Sequence, residues 1–101
     1  DEAGVAGLIC LGYPFHPPAK PEKLRTEHLA DLKTPALILQ GERDSFGGQD
    51  EVMEYKLSKA IEVSFLLDGD HDLKPRKRSG RTREENWSDA VSRIVRFVAA
   101  L

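Results

Sequence analysis

Two hydrophobic patterns alternate along the chain, and their order predicts the fold. Residues 5–11 (VAGLICL) and 36–39 (ALIL, after Pro35) are unbroken apolar runs bounded by glycine or proline. Such runs suit strands covered on both faces, as in a parallel sheet flanked by helices. Residues 61–67 (IEVSFLL) differ, because Ile61, Val63 and Phe65 are interleaved with Glu62 and Ser64. A period of two buries one face and leaves the other polar, so this segment is expected at a sheet edge.

The intervening segments carry helical spacing. Residues 21–32 (PEKLRTEHLADL) open on Pro21, which suits a first helical turn, and place Leu24, His28, Leu29 and Leu32 on one face. Residues 49–58 (QDEVMEYKLS) predict a shorter, acid-started helix with Val52, Met53 and Leu57. Thr82 and Glu85 fit a capping box, in which each side chain satisfies the other's backbone N–H. After it, Trp87, Val91, Ile94, Val95, Val98 and Leu101 recur at helical spacing, a stripe expected to pack against the core. Strand and helix thus alternate three times, and each connection exceeds the ~10–12 residues of a parallel crossover. The prediction is an α/β fold: a three-stranded parallel sheet with flanking helices and right-handed crossovers.

Composition narrows the function classes. At 101 residues the chain is expected to be a single domain, residues 1–101. Its net charge of -2 gives no general drive toward nucleic acid or membranes. No apolar run approaches the length of a membrane span. One cysteine excludes an internal disulfide and fits a reducing, cytoplasmic setting. The opening DEAGVAG has no initiator methionine and stands one turn before an apolar strand, which reads as the interior of a larger protein. One strong charge bias remains, Lys74, Arg76, Lys77, Arg78, Arg81 and Arg83. It lacks the interleaved aromatics of a nucleic-acid module. It is read as a solvated loop, or as positive charge at the mouth of a site that favours an anionic substrate.

Ligands of parallel α/β sheets bind outside the carboxyl ends of the strands. Three loops qualify: Gly12-Tyr13-Pro14-Phe15-His16, Gly41-Glu42-Arg43-Asp44 and Asp68-Gly69-Asp70-His71-Asp72. An acid and a histidine therefore leave adjacent strands on one edge. A carboxylate that accepts an imidazole N–H fixes the tautomer, so the other ring nitrogen can act as a general base. Asp44 and His71 are the candidate pair. Tyr13, His16 and Phe46 are weaker candidates for lining a substrate pocket. The acids around His71 could suggest a metal loop, but a calcium loop starting at Asp68 needs Gly and Glu where Leu73 and Ser79 stand. No metal or cofactor is expected.

TPALILQGERDSFG, followed 27 residues after Asp44 by the histidine of LLDGDHDLKP, resembles the C-terminal half of an α/β-hydrolase. The loop GYPFHPPAKPEKLR is similar to that of dienelactone-hydrolase-like proteins. The resemblance covers nearly the whole chain, as strands six to eight with their helices. It implies that Asp44 is the triad acid and His71 the triad base, acting on an ester, thioester or similar acyl bond of a small molecule. The family's nucleophile sits in a G-x-S-x-G elbow upstream of the acid, and this chain has none. The serines (45, 58, 64, 79, 88, 92) lack that context, and Cys10, inside LICLG, reads as a small buried apolar residue. The expectation is the acid–base half of a serine-type hydrolase, with little activity from this chain alone. The alternative is a non-catalytic binding or assembly module in which the pair is inert. In either case residues 5–11 would be an apolar strand with an unpaired edge, which predicts a homo-oligomer covering it.

Overall fold

The computed structural model describes residues 6–20, 22, 26 and 29–101. Within these, three strands form one parallel sheet: β1 Leu8–Leu11, β2 Ala36–Gly41 and β3 Ile61–Leu66, in the order β1-β2-β3. Register aligns Leu8, Ile9, Cys10 and Leu11 with Ala36, Leu37, Ile38 and Leu39, and Ala36 through Gly41 with Ile61 through Leu66. The predicted α/β architecture is the one observed, with the alternating segment β3 at an edge.

Strand β2 is buried along its whole length, as a continuous apolar run between two neighbours should be. Its side chains divide the core in two. Leu37 and Leu39 join Leu66, Leu73 and Ala90 on one face, with Ile94 and Phe97 packed against them. Ile38 joins Phe15, Leu29 and Val52 on the other, where Cys10, Tyr13, Tyr55, Ile61, Val63 and Phe65 complete the layer. The polar face of β3 therefore lies on the helix side of the sheet. There Arg93 donates to the Ser64 hydroxyl and to the Phe65 carbonyl, each at 2.7 Å.

The helices depart from the sequence pattern more than the strands do. Helix α1 is one turn, Gln49–Val52, and the predicted continuation to residue 58 is turn and coil. The reason lies in its anchors. Glu51 turns back to Gly48 N–H at 3.3 Å and to His16 Nε2 at 2.8 Å, and Val52 is its one buried residue. Exposed Met53 and Glu54 offer no apolar face to continue it. Helix α2, Arg83–Ala99, starts as predicted: Thr82 accepts from Glu85 N–H and Glu85 accepts from Thr82 N–H. Its buried face, however, centres on Asn86 and Ala90, while Val91, Val95 and Val98 stay exposed. Six of the twelve residues of the predicted helix over 21–32, His28 among them, lie outside the described residues, as does Val5 of the first predicted strand, and residues 29–32 form a short turn rather than an α-helix. Strand β1 is less covered than its composition predicts. Leu8, Ile9 and Leu11 are each more than two-fifths exposed, because β1 pairs only with β2 among the described residues.

Candidate active site

All three strands end on the same edge of the sheet, and each sends its exit loop into one cluster. Strand β2 supplies the acid. At its end Gly41 passes so close to the loop after β3 that an added Cβ would lie 2.2 Å from the Asp70 carbonyl oxygen and 2.3 Å from that of Gly69. Real Cβ contacts do not reach such values, so the position demands glycine for lack of space. Arg43 N–H donates to the Gly69 carbonyl at 2.9 Å, and the backbone of Asp44 folds back on Gly41 and forward to Gly47. The turn leaves the Asp44 side chain fully buried.

A buried carboxylate needs partners on both oxygens, and Asp44 has them. Oδ1 accepts from Phe46 N–H at 2.8 Å and Oδ2 from His71 Nδ1 at 2.8 Å. The two residues predicted as an acid–base pair are thus within a charge-assisted hydrogen bond of each other. With Nδ1 turned to the carboxylate, that nitrogen carries the proton and Nε2 is left with its lone pair. No described residue bonds Nε2, and the imidazole is 37% exposed, so the basic nitrogen is the open side of the ring.

Two further residues shape the imidazole's seat. The Phe46 ring lies over it, centroids 4.3 Å apart at 37°. Gly12, leaving β1 with φ +74°, sits behind it, where a Cβ would come within 2.8 Å of the His71 carbonyl oxygen and 3.2 Å of ring Cε1. Strands β1, β2 and β3 thereby contribute Gly12, Asp44 and His71 to one point.

Of the three lining candidates, Phe46 is brought onto His71. Tyr13 packs its ring edge-on against Phe15, centroids 4.7 Å apart, within the Phe15–Ile38 layer. His16 is 3% exposed, its Nδ1 bonded to the Pro17 carbonyl and its Nε2 to Glu51, each at 2.8 Å. Its backbone N–H reaches the Phe46 carbonyl at 3.0 Å, so it supports the wall from behind. The acids flanking His71 also have defined work. Asp70 accepts from the N–H groups of Asp72 and Lys74, and Asp68 is clasped by Arg76 and Arg43. Cys10 lies mid-strand against the Phe15–Ile38 layer, and burial pushes its thiol pKa up, away from the thiolate a nucleophile requires.

Several site residues carry no motif. Gln40 is wholly buried and brackets the loops after β1 and β2: Oε1 accepts from Tyr13 N–H at 2.9 Å, and Nε2 donates to the carbonyls of Tyr13 and Gly47. The only trace of this in the sequence is an amide that continues an apolar run. Glu42 accepts Asp68 N–H at 2.7 Å, and Arg43 donates to the Asp68 carbonyl at 3.0 Å. These two charges, which the sequence gives no role of their own, are struts between the acid loop and the histidine loop.

No solved structure gives a significant match to the chain. The alpha/beta hydrolase domain family matches residues 1–99, nearly all of the chain. An acid after one parallel strand, a histidine after the next and this match lead to one conclusion, that the chain belongs to the alpha/beta hydrolase domain family.

Proposed function

We propose that Asp44 and His71 are the acid and base of a serine-type acyl hydrolase of dienelactone-hydrolase-like kind, whose attacking serine is supplied from outside these 101 residues. The observation that carries this reading is the 2.8 Å bond from His71 Nδ1 to a fully buried carboxylate, with Nε2 on the open side. In the proposed cycle Nε2 takes the proton of a serine hydroxyl as its oxygen attacks the acyl carbon of an ester or thioester. Asp44 stabilises the imidazolium so formed. The proton then passes to the departing alkoxide or thiolate, leaving an acyl-serine. Water, deprotonated by the same Nε2, attacks that ester, and the imidazolium returns the proton to the departing serine oxygen, releasing the acid and the free serine. Three of the six serines are bonded to groups other than His71: Ser58 donates to the Leu32 carbonyl, Ser64 accepts from Arg93 and Ser79 donates to the Arg76 carbonyl. We place the protein in the cytoplasm, in keeping with its single unpaired cysteine. None of the described helices is long and apolar enough to cross a membrane.

The test is a fluorophosphonate probe on the full-length protein. Labelling of one serine, abolished by His71→Ala and cut steeply by Asp44→Ala, is the expected result; loss of a triad member in this chemistry costs on the order of 10⁴-fold or more in rate. No labelling, or labelling that survives His71→Ala, would instead favour a binding or assembly module with an inert pair.

A further inference from the structure

The loop that carries His71 is tied at both ends by one side chain that the acid–base chemistry does not use. Asn86, near the start of α2, is 0% exposed. Its Nδ2 donates to the Leu67 carbonyl at 3.0 Å and to the Leu73 carbonyl at 2.8 Å, while its Oδ1 accepts from Arg81 Nε at 2.9 Å. A primary amide has two N–H donors and one oxygen, and here all three are engaged. Arg81 is in turn held by the Glu85 carbonyl and by Asp89.

Leu67 and Leu73 bracket residues 68–72, the segment that presents His71. Its own backbone bonds are turn bonds only, from Gly69 N–H to the Leu66 carbonyl, Asp70 N–H to Lys74 and Leu73 N–H to Asp70. Asp68 and Leu73 adopt φ of +54° and +66°, the left-handed region that is strained for a side-chain-bearing residue. Such conformations persist only where the surroundings over-determine them. Leu73, 1% exposed, is seated in the core beside Ala90, so the far end of the loop is held by packing and by the amide together.

We infer that Asn86 is a positioning residue for His71, fixing from α2 the two carbonyls between which the imidazole-bearing loop is strung. The inference rests on the proposed role of the Asp44–His71 pair, because without that pair there is no geometry for the amide to preserve. It differs from ordinary helix docking in what it predicts. Loosening α2 elsewhere should leave the imidazole in place, whereas removing the amide's donors should release it.

Proton NMR of the ¹⁵N-histidine-labelled full chain separates the two. In the unmodified protein the His71 Nδ1 proton, sheltered by Asp44, gives a low-field signal that disappears in Asp44→Ala. Asn86→Leu keeps the volume and removes all three bonds. Asn86→Asp keeps the shape and the acceptor for Arg81 but removes both donors, and it decides the matter should the leucine variant not fold. Both are expected to lose the low-field signal while the helical circular dichroism is retained. Ile94→Ala, which loosens the packing of α2 on the core two turns beyond Asn86 and leaves the amide's bonds in place, is expected to keep it. A signal that persists in both Asn86 variants overturns the inference, as does one lost equally in Ile94→Ala. Failure of the underlying reading looks different: the signal is then missing from the unmodified protein, or survives Asp44→Ala, before any Asn86 variant is made.

Discussion

A methyl group at residue 41 has nowhere to go. The obstacles at 2.2 and 2.3 Å are backbone carbonyls of Asp70 and Gly69, which cannot swing aside as a side-chain tip can. Gly41→Ala must therefore push the end of β2 away from the histidine loop, separating Asp44 from His71 as it does so. The cost should reach or exceed the ~1–3 kcal/mol of ordinary overpacking. Gly80 supplies the comparison. It has φ +74° but nothing within 4 Å of an added Cβ, so Gly80→Ala carries only a conformational cost of about 1–2 kcal/mol. Denaturant unfolding of the two variants should rank Gly41→Ala as the more destabilised, and the reverse order would refute the steric account. The sequence marks residue 41 as the point where an apolar run stops, and it marks Asp44 as a candidate acid, because both signals are local. It does not mark Gly41 as a place where two loops touch, since the other loop arrives almost thirty residues later. Gln40, Glu42, Arg43 and Asn86 escaped for the same reason, as each acts on backbone atoms distant in sequence.

The segment from the end of β3 to the start of α2 is organised by charge as much as by packing. Asp68 accepts Arg76 Nη2 at 2.6 Å and Arg76 N–H at 2.9 Å, and lies 3.3 Å from Arg43 Nε. The Arg76 side chain beside it is the largest cause that lowers its carboxyl pKa from 3.8 to about 2, with the Arg76 backbone bond next. A folded-state pKa below the unfolded one means stability that is fully present above the unfolded value and lost as pH falls through the folded one. Asp68→Asn should therefore lower the melting temperature relative to the unmodified protein by a constant amount near neutrality. That gap should begin to close as pH drops toward about 4 and be gone only once pH falls below about 2. A gap that stays constant down to pH 2 would mean that the carboxylate's charge contributes nothing to the clasp. Part of the basic run 74–83 is thereby explained, since Arg76 and Arg81 are spent on Asp68 and Asp89. The capping box at Thr82 was legible because its two partners stand three residues apart. The length of α1 was not, because its end depends on His16 and on what Val52 packs against.

Helical spacing revealed that α2 has an apolar stripe but not which part of it meets the sheet. Arg93 reaches over to β3, and Ala90, Ile94 and Phe97 sit on the core, which rotates Val91, Val95 and Val98 onto the flank away from β3. Ile9 and Leu11 of β1 lie on the same side of the sheet as Leu37 and Leu39, by register, and are 43% and 46% exposed. An uncovered helix flank and an uncovered strand thus border one corner of the fold, next to a strand edge that no described residue pairs. Contiguous apolar surface of this kind marks an interaction site, and an open parallel edge is a template for another strand. We propose that, in the 101-residue chain by itself, a second copy covers this corner, strand edge to strand edge about a two-fold axis. Sedimentation velocity at micromolar concentration should then show a dimer or larger species. Ile9→Lys with Val95→Lys places charges on both walls of the corner, away from the Asp44–His71 pair, and should shift the distribution to monomer. A monodisperse monomer of the unmodified chain at that concentration would end the proposal. A dimer indifferent to both lysines would show that the copies meet elsewhere, and the exposed valines of α2 would then need another explanation.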